Sequence, residues 1–224
     1  MEFRDVVRAR RMMRTYDPDR PVPDAVLDGL LDLAIRAPSA GFSQGWDFVV
    51  LRTTDDVARF WTATAEPADA DATTREPDRW LRGMQTAPVL ILCLSDADRY
   101  LDRYAEPDKG WDDRDPARWP VPYWDVDTGM AGLLILLGAV DAGLGGCFFG
   151  VPPEQQNAVL AEFGAPAGHR IVGVISLGHP APDGSDRRSP SLRRGRRPVS
   201  EVAHDGRFGT SWVIDPDPTA LKRG

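Results

Sequence analysis

The sequence predicts one mixed domain of helices and strands, and three observations predict it. Short β-branched or apolar runs at 47–52, 87–95 and 170–178 have the length and composition of strands. Stretches of helical length and pattern separate them. The 224 residues are enough to bury one core and do not require a second domain.

Element by element, Phe3, Val6 and Val7 place a helix over 2–11, and Pro23-Asp24 starts a second that runs to Arg36. The break APSAGFSQGW leads into the strand DFVVLR at 47–52. A helix near 55–65, a polar stretch and a short helix near 78–85 follow. APVLILCLS is apolar without alternation, the pattern of a strand buried on both faces. Residues 96–124 mix aromatics with prolines and charges without a sustained period, and are expected to form an excursion or lid. Its Trp111, Trp119, Tyr123 and Trp124 suit either stacking on a planar substrate or covering the core. The run 125–142 is apolar nearly all round, as in a helix buried against other helices of the same or a second subunit. It is short and glycine-interrupted for a membrane span. After GLGGCFFGVP a helix is expected near 153–163, and RIVGVISLG at 170–178 is the last strand. From about 179 the chain is rich in proline and arginine and should be an extended arm.

A hydrophobic fraction of 42% with 27% charged residues is ordinary for a globular protein. The opening MEFRDVVRARR scatters charge through its apolar positions, so a cytoplasmic protein is expected. Cys93 and Cys147 are too few for a disulfide framework or zinc site, and His169, His179 and His204 lack ligand spacing. No metal is expected. The net charge of −7 argues against general nucleic-acid binding. Yet Arg187, Arg188, Arg193, Arg194, Arg196 and Arg197 crowd one stretch, and without them the chain carries −13. Positive charge is therefore concentrated where it can hold one anion.

Two catalytic patterns fail on context. Gly41-Phe42-Ser43-Gln44-Gly45 matches G-x-S-x-G, but that nucleophile elbow needs a strand before and a helix after, and here the order is reversed. GLGGCFFG has neither G-x-G-x-x-G spacing nor a following G-K-[ST]. Three separated elements remain. Arg10-Arg11-Met12-Met13-Arg14 closes the first helix, where it either complements the helix dipole or reaches a ligand beyond. Pro38-Ser39-Ala40-Gly41 is either an ordinary helix end or a hydroxyl and backbone amides presented to a phosphate. Arg194 and Arg196 either lie in a solvated basic tail or alternate in an extended arm, both guanidiniums on one side to grip a phosphate.

Taken together, these segments resemble the nitroreductase family of flavoproteins. RARRMMRTYDPDRPVP is similar to the family opening, in which an R-R-S-x-R-like sequence precedes F-x-x-x-x-V-P. APSAGFSQGWDFVVL resembles A-P-S-A-G-N-x-Q-P-W-x-F-V-V, DTGMAGLLILLGAVDAGLGGCFFG the long central helix with its G-L-G-x-x-x-x-G turn, and GRRPVSEVAHDGRFG the closing R-x-P-L-x-E-V-x-H segment. Met12 stands where the family has Ser, Phe42 where it has Asn, and Gly45 where it has Pro.

The resemblance implies an α+β fold with a central, mostly antiparallel sheet flanked by helices, in an intertwined homodimer with an extended C-terminal arm. It implies FMN at the subunit interface and NADH or NADPH as electron donor. By position, Arg10, Arg11 and Arg14 approach the phosphate, ribityl chain and pyrimidine edge. Pro38, Ser39 and Ala40 come from the partner chain. Cys147, Phe148 and Gly150 belong to a turn against the flavin ring, with the Gly150 N–H directed toward N5. Arg194 and Arg196 hold the phosphate. No protein nucleophile is implied, and Arg14 is the candidate for stabilising negative charge on the ring. The reaction class implied is electron transfer to a nitroaromatic, a quinone or a related small acceptor. The alternatives are a relative with other flavin chemistry, such as a dehydrogenase or dehalogenase, and a flavin-binding protein without turnover.

Overall fold

The computed structural model describes residues 1–65, 79–182 and 193–212. Residues 1–186 form one unit and 187–224 another. In the first unit the elements in chain order are α1 (Phe3–Ala9), α2 (Asp24–Ala34), β1 (Trp46–Leu51), α3 (Thr54–Ala63), α4 (Arg79–Met84) and β2 (Val89–Asp96). They continue with α5 (Ala97–Tyr104), α6 (Tyr123–Asp141), β3 (Gly145–Phe149), α7 (Pro153–Glu162) and β4 (His169–Gly178).

The four strands make one antiparallel sheet in the order β1-β2-β4-β3, so β1 and β3 are its edges. This is the expected α+β class. Alternation along β2 shows why its sequence is apolar from Val89 to Leu94. Val89, Ile91 and Cys93 enter one core cluster with α2 and α6, while Leu90, Leu92 and Leu94 enter a second with Val57 and Phe60 of α3 and Val159 of α7. Burial pushes the Cys93 thiol up to about 12, so it stays protonated at neutral pH.

Local chemistry sets several boundaries. Thr53 caps α3 by accepting from the Asp56 N–H at 3.1 Å and donating its hydroxyl to Asp56 at 2.6 Å. Pro153 opens α7 at a position whose missing N–H costs nothing. α6 has the length and hydropathy of a membrane span, but Ala131, Ile135 and Ala139 are fully buried in the first core cluster. It is the core helix of this domain.

Four expectations need correction. The first helix ends at Ala9 rather than 11, because the backbone turns extended at Arg10 (φ −57°, ψ 124°). Residues 145–149 are not a turn but the strand β3. The apparently aperiodic 96–124 segment opens with α5, which Asp96 caps through the Asp98 N–H at 3.0 Å. The Arg194/Arg196 alternation is not realised: Arg193 and Arg194 lie in a 3₁₀ turn and Gly195 has φ +69°. That arm also holds α8 (Val199–Val202). Arg187 and Arg188 of the basic cluster, and the polar stretch 66–78, lie outside the described residues.

Candidate functional site

The arginine run is stitched to the edge of the sheet. Beyond α1 the chain passes alongside β3, where the Met13 N–H donates to the Gly146 carbonyl at 3.0 Å and Met12 bridges Gly146 in parallel sense. The Met13 side chain is buried in the second core cluster. Tyr16 is buried too, and its hydroxyl donates to the Met13 carbonyl at 2.7 Å and shares a 2.7 Å hydrogen bond with Ser176 Oγ of β4. Thr86 accepts from the Tyr16 N–H at 2.8 Å and donates to the Gly83 carbonyl at 2.7 Å. Two buried anchors thus fix a segment whose cations are half-buried at 10 and 14 and exposed at 11.

Arg10 carries an anomaly. Its Nη1 is shielded from solvent and has no hydrogen-bond partner among the described residues. Such a group costs free energy unless something supplies an acceptor, so an anionic or carbonyl-bearing ligand fits here.

The side chains of β3 are taken up by packing within the fold. Cys147 is buried. The half-buried Phe148 ring covers Gly173 and lies against Gly132, and Phe149 stacks on Trp61 with centroids 5.9 Å apart. Gly150 beyond it is exposed, with open space where a side chain would stand, which leaves room for a planar ring against the chain.

The Pro38–Ala40 segment sits elsewhere. The Ala40 N–H donates to Asp127 Oδ2 at 2.8 Å, the Gln44 N–H to Ser39 Oγ at 3.1 Å, the Phe42 N–H to the Ser39 carbonyl and the Ser43 N–H to the Ala40 carbonyl. The Ala40 amide, the one of the 38–41 segment seen to be engaged, is thus held within the fold by Asp127. Of this segment Pro38 is exposed and Ser39 and Ala40 are half-buried. Gly41, Phe42 and Gln44 all have positive φ, of 63°, 58° and 51°. The last two are costly for residues with a Cβ, about 1 kcal/mol or more each. Where the family pattern has Asn, which tolerates that conformation, this chain holds a strained Phe42 that is 75% exposed. Ser43 Oγ donates to the Ala40 carbonyl at 2.7 Å, and the turn leads into a strand, not a helix.

Within one chain the two groups occupy different levels of α6. Ala40 is tied to Asp127, whereas Gly146 packs against Leu136, nine residues on, about 14 Å along a helix axis.

Asp127 is the residue that sequence reading missed. It is 2% exposed, and its Oδ2 accepts from both the Ala40 N–H and the Tyr100 hydroxyl, each at 2.8 Å. Burial first, then the hydrogen bond to Asp127, push the Tyr100 phenol well above its ordinary value. A carboxylate in the first turns of a long, mostly apolar helix was the available signal, since such groups are buried only when paired.

The aromatics of 97–124 pack mainly on one another. Trp119 has Tyr100, Tyr104, Trp111, Tyr123 and Trp124 around it, with centroids 4.6–6.0 Å away. Arg103, Arg114 and Arg118 pin the segment through Asp108, Asp98 and Asp113.

An antiparallel sheet with helices packed on it, and a cationic run bound along one sheet edge, defines an α+β protein. The chain belongs to the nitroreductase family, which it matches over residues 7–179. An NADH dehydrogenase of Thermus thermophilus is 30% identical over 194 residues, covering 78% of this chain and 85% of that protein. Two solved structures share the fold. A Desulfovibrio desulfuricans protein in complex with FMN has a TM-score of 0.65 at 24% identity, covering 93% of this chain and 98% of that one. An FMN-dependent nitroreductase from Clostridium difficile R20291 has 0.62 at 20%, covering 91% and 98%. The family makes this chain a flavin oxidoreductase.

Proposed function

We propose that a homodimer of this chain binds FMN and passes electrons from NADH or NADPH to a small organic acceptor such as a nitroaromatic or a quinone. The observation that carries the reading is the Arg10–Arg14 run held along β3, with the Arg10 Nη1 shielded from solvent and without an acceptor among the described residues. When bound, FMN supplies the two-electron chemistry that the protein's own side chains lack.

In this reading Arg10, Arg11 and Arg14 bind the phosphate, ribityl chain and pyrimidine edge, with Arg14 stabilising charge on the ring. Cys147, Phe148 and Gly150 contribute backbone against the ring. Arg194 and Arg196 grip the phosphate. Pro38, Ser39 and Ala40 serve the partner's site, a sharing supported by their distance from the arginine run along α6. The homodimer is supported by Val126, Met130 and Leu133, which leave an apolar stripe exposed on α6. Segment 97–124 acts as the lid that shapes the acceptor pocket. Two buried free thiols suit a reducing, cytoplasmic setting.

The purified protein should be yellow with flavin bands. Donor and acceptor use one place in turn, so double-reciprocal plots at several fixed acceptor concentrations should be parallel. A colourless protein that takes up no added FMN would overturn the reading, and intersecting plots would overturn the single shared place.

Arg10 gives a sharper test. Arg10→Met removes a buried group without a partner and keeps the aliphatic stem, so the FMN-free protein should melt higher, by about 1 kcal/mol of stability. FMN affinity should fall at the same time, by roughly 1.5–3 kcal/mol for a lost charge-assisted hydrogen bond. Thermal melts with and without FMN measure both. Equal shifts in the two melts would mean that Arg10 does not touch the ligand.

A further inference from the structure

Helix α5 grips the 38–45 loop at every level. Tyr100 donates to the same Asp127 oxygen that holds the Ala40 N–H. Arg103 Nε donates to the Gly41 carbonyl at 3.0 Å, while Asp108 and Glu106 fix the guanidinium from the other side. The Tyr104 ring lies against Gly41, where a Cβ would come within 2.6 Å of it. Gly45 closes the loop in buried space, where any side chain would overlap the Tyr100 ring and come within 2.7 Å of the Asp96 carbonyl. The departure from proline at 45 therefore has a physical partner: this loop is shaped to receive the Tyr100 ring.

We propose that Tyr100 and Asp127 are positioning residues for the cofactor, setting through one shared oxygen the place of the Pro38–Ala40 backbone. The inference rests on that segment meeting FMN, as in the function proposed above. Neither side chain touches the ligand. A buried carboxylate oxygen with two donors fixes both of them, because leaving either donor unpaired in that space is costly. The first helix of the lid segment and the cofactor loop then move as one body. A change in the lid that reaches Tyr100 changes cofactor binding as well as acceptor choice, whereas a change confined to 105–118 leaves the brace in place.

The test compares full-length Tyr100→Phe, Asp127→Ala and Asp127→Asn with wild type. The readouts are FMN dissociation constant by fluorescence titration, flavin midpoint potential, and melting temperature with and without saturating FMN. Tyr100→Phe should weaken FMN about 5- to 10-fold, the equivalent of one neutral hydrogen bond, and shift the midpoint potential. Asp127→Ala should weaken it more than 30-fold, and Asp127→Asn, which keeps an oxygen for both donors, should restore binding to within threefold of wild type. The melting increment given by FMN should shrink in the order of affinity. Should Asp127→Ala fail to fold, Tyr100→Phe decides alone. Wild-type affinity and potential in Tyr100→Phe, with only a lowered melting temperature, would make the brace merely structural and overturn the proposal. A wild-type protein that takes up no FMN would instead overturn the function on which the proposal rests.

Discussion

Leu133→Asp should turn the protein into a monomer and abolish most of its FMN binding. Leu133 is 48% exposed in the single chain, and with Val126 and Met130, at 38% and 37%, it lies on one face of α6. The opposite face, with Ala131, Ile135 and Ala139, is spent on the core. In a two-fold interface the same residue enters from both subunits, so one substitution buries two carboxylates. An unpaired charge withdrawn from water costs several kcal/mol, and a total above about 4 kcal/mol raises the dimer dissociation constant by a factor of about 10³ or more. Because residue 133 points away from the core, the monomer should keep its fold. Leu134, packed against the core cluster, would confound assembly with unfolding. Sedimentation velocity beside FMN titration checks both halves. A well-folded monomer with wild-type FMN affinity would refute the shared site, and an intact dimer would place the interface elsewhere.

That stripe was partly legible in the sequence, where an apolar helix over 125–142 points to contacts beyond one sheet. What pattern reading found well were segments whose period matches their burial. β2 is apolar from Val89 to Leu94 because both its faces are covered, and α2 and α7 lie within two residues of their expected ends. What it missed depends on partners distant in the chain. Gly145 and Gly146 weaken any strand propensity, yet they belong to β3 because Met13 and Leu136 occupy the space their side chains would need. α5 was hidden by the charges between Tyr100, Leu101 and Tyr104, although those three fall on one helical face.

The candidate site shows the same division. The arginine run and the small-residue loop stand out as residue types, but their roles depend on geometry. Of the 38–41 segment whose amides could be presented to an anion, the fold engages the Ala40 N–H internally. Asp127, which organises that loop, is a single letter inside an apolar run, and its partners lie at 40 and 100. No local pattern announces a hydrogen bond spanning 87 residues.

Replacing Arg194 and Arg196 together by alanine should release FMN while the folded body stays intact. Both are exposed, so their removal takes little from the core, and the melting temperature of the FMN-free protein should change by only a degree or two. A charge-assisted hydrogen bond to phosphate contributes roughly 1.5–3 kcal/mol, so losing two such groups should raise the FMN dissociation constant by about 10² to 10⁴. The 3₁₀ turn at Arg194 and the positive φ of Gly195 exclude strand-like alternation there, so the proposed grip would use two side chains projecting from a turn. Gly195→Ala should then weaken FMN as well, because alanine resists φ near +69° and would re-aim both arginines. Riboflavin, which lacks the phosphate, supplies the control: it should bind wild type and double variant alike, so the advantage of FMN over riboflavin collapses. The salt dependence of FMN binding should flatten with it, since the screened charges are gone. Arg194→Lys with Arg196→Lys should recover only part of the affinity, because an ammonium keeps the charge and loses the planar, two-pronged contact. Full FMN occupancy in the alanine pair, or an equal loss for riboflavin, would remove these two residues from the phosphate.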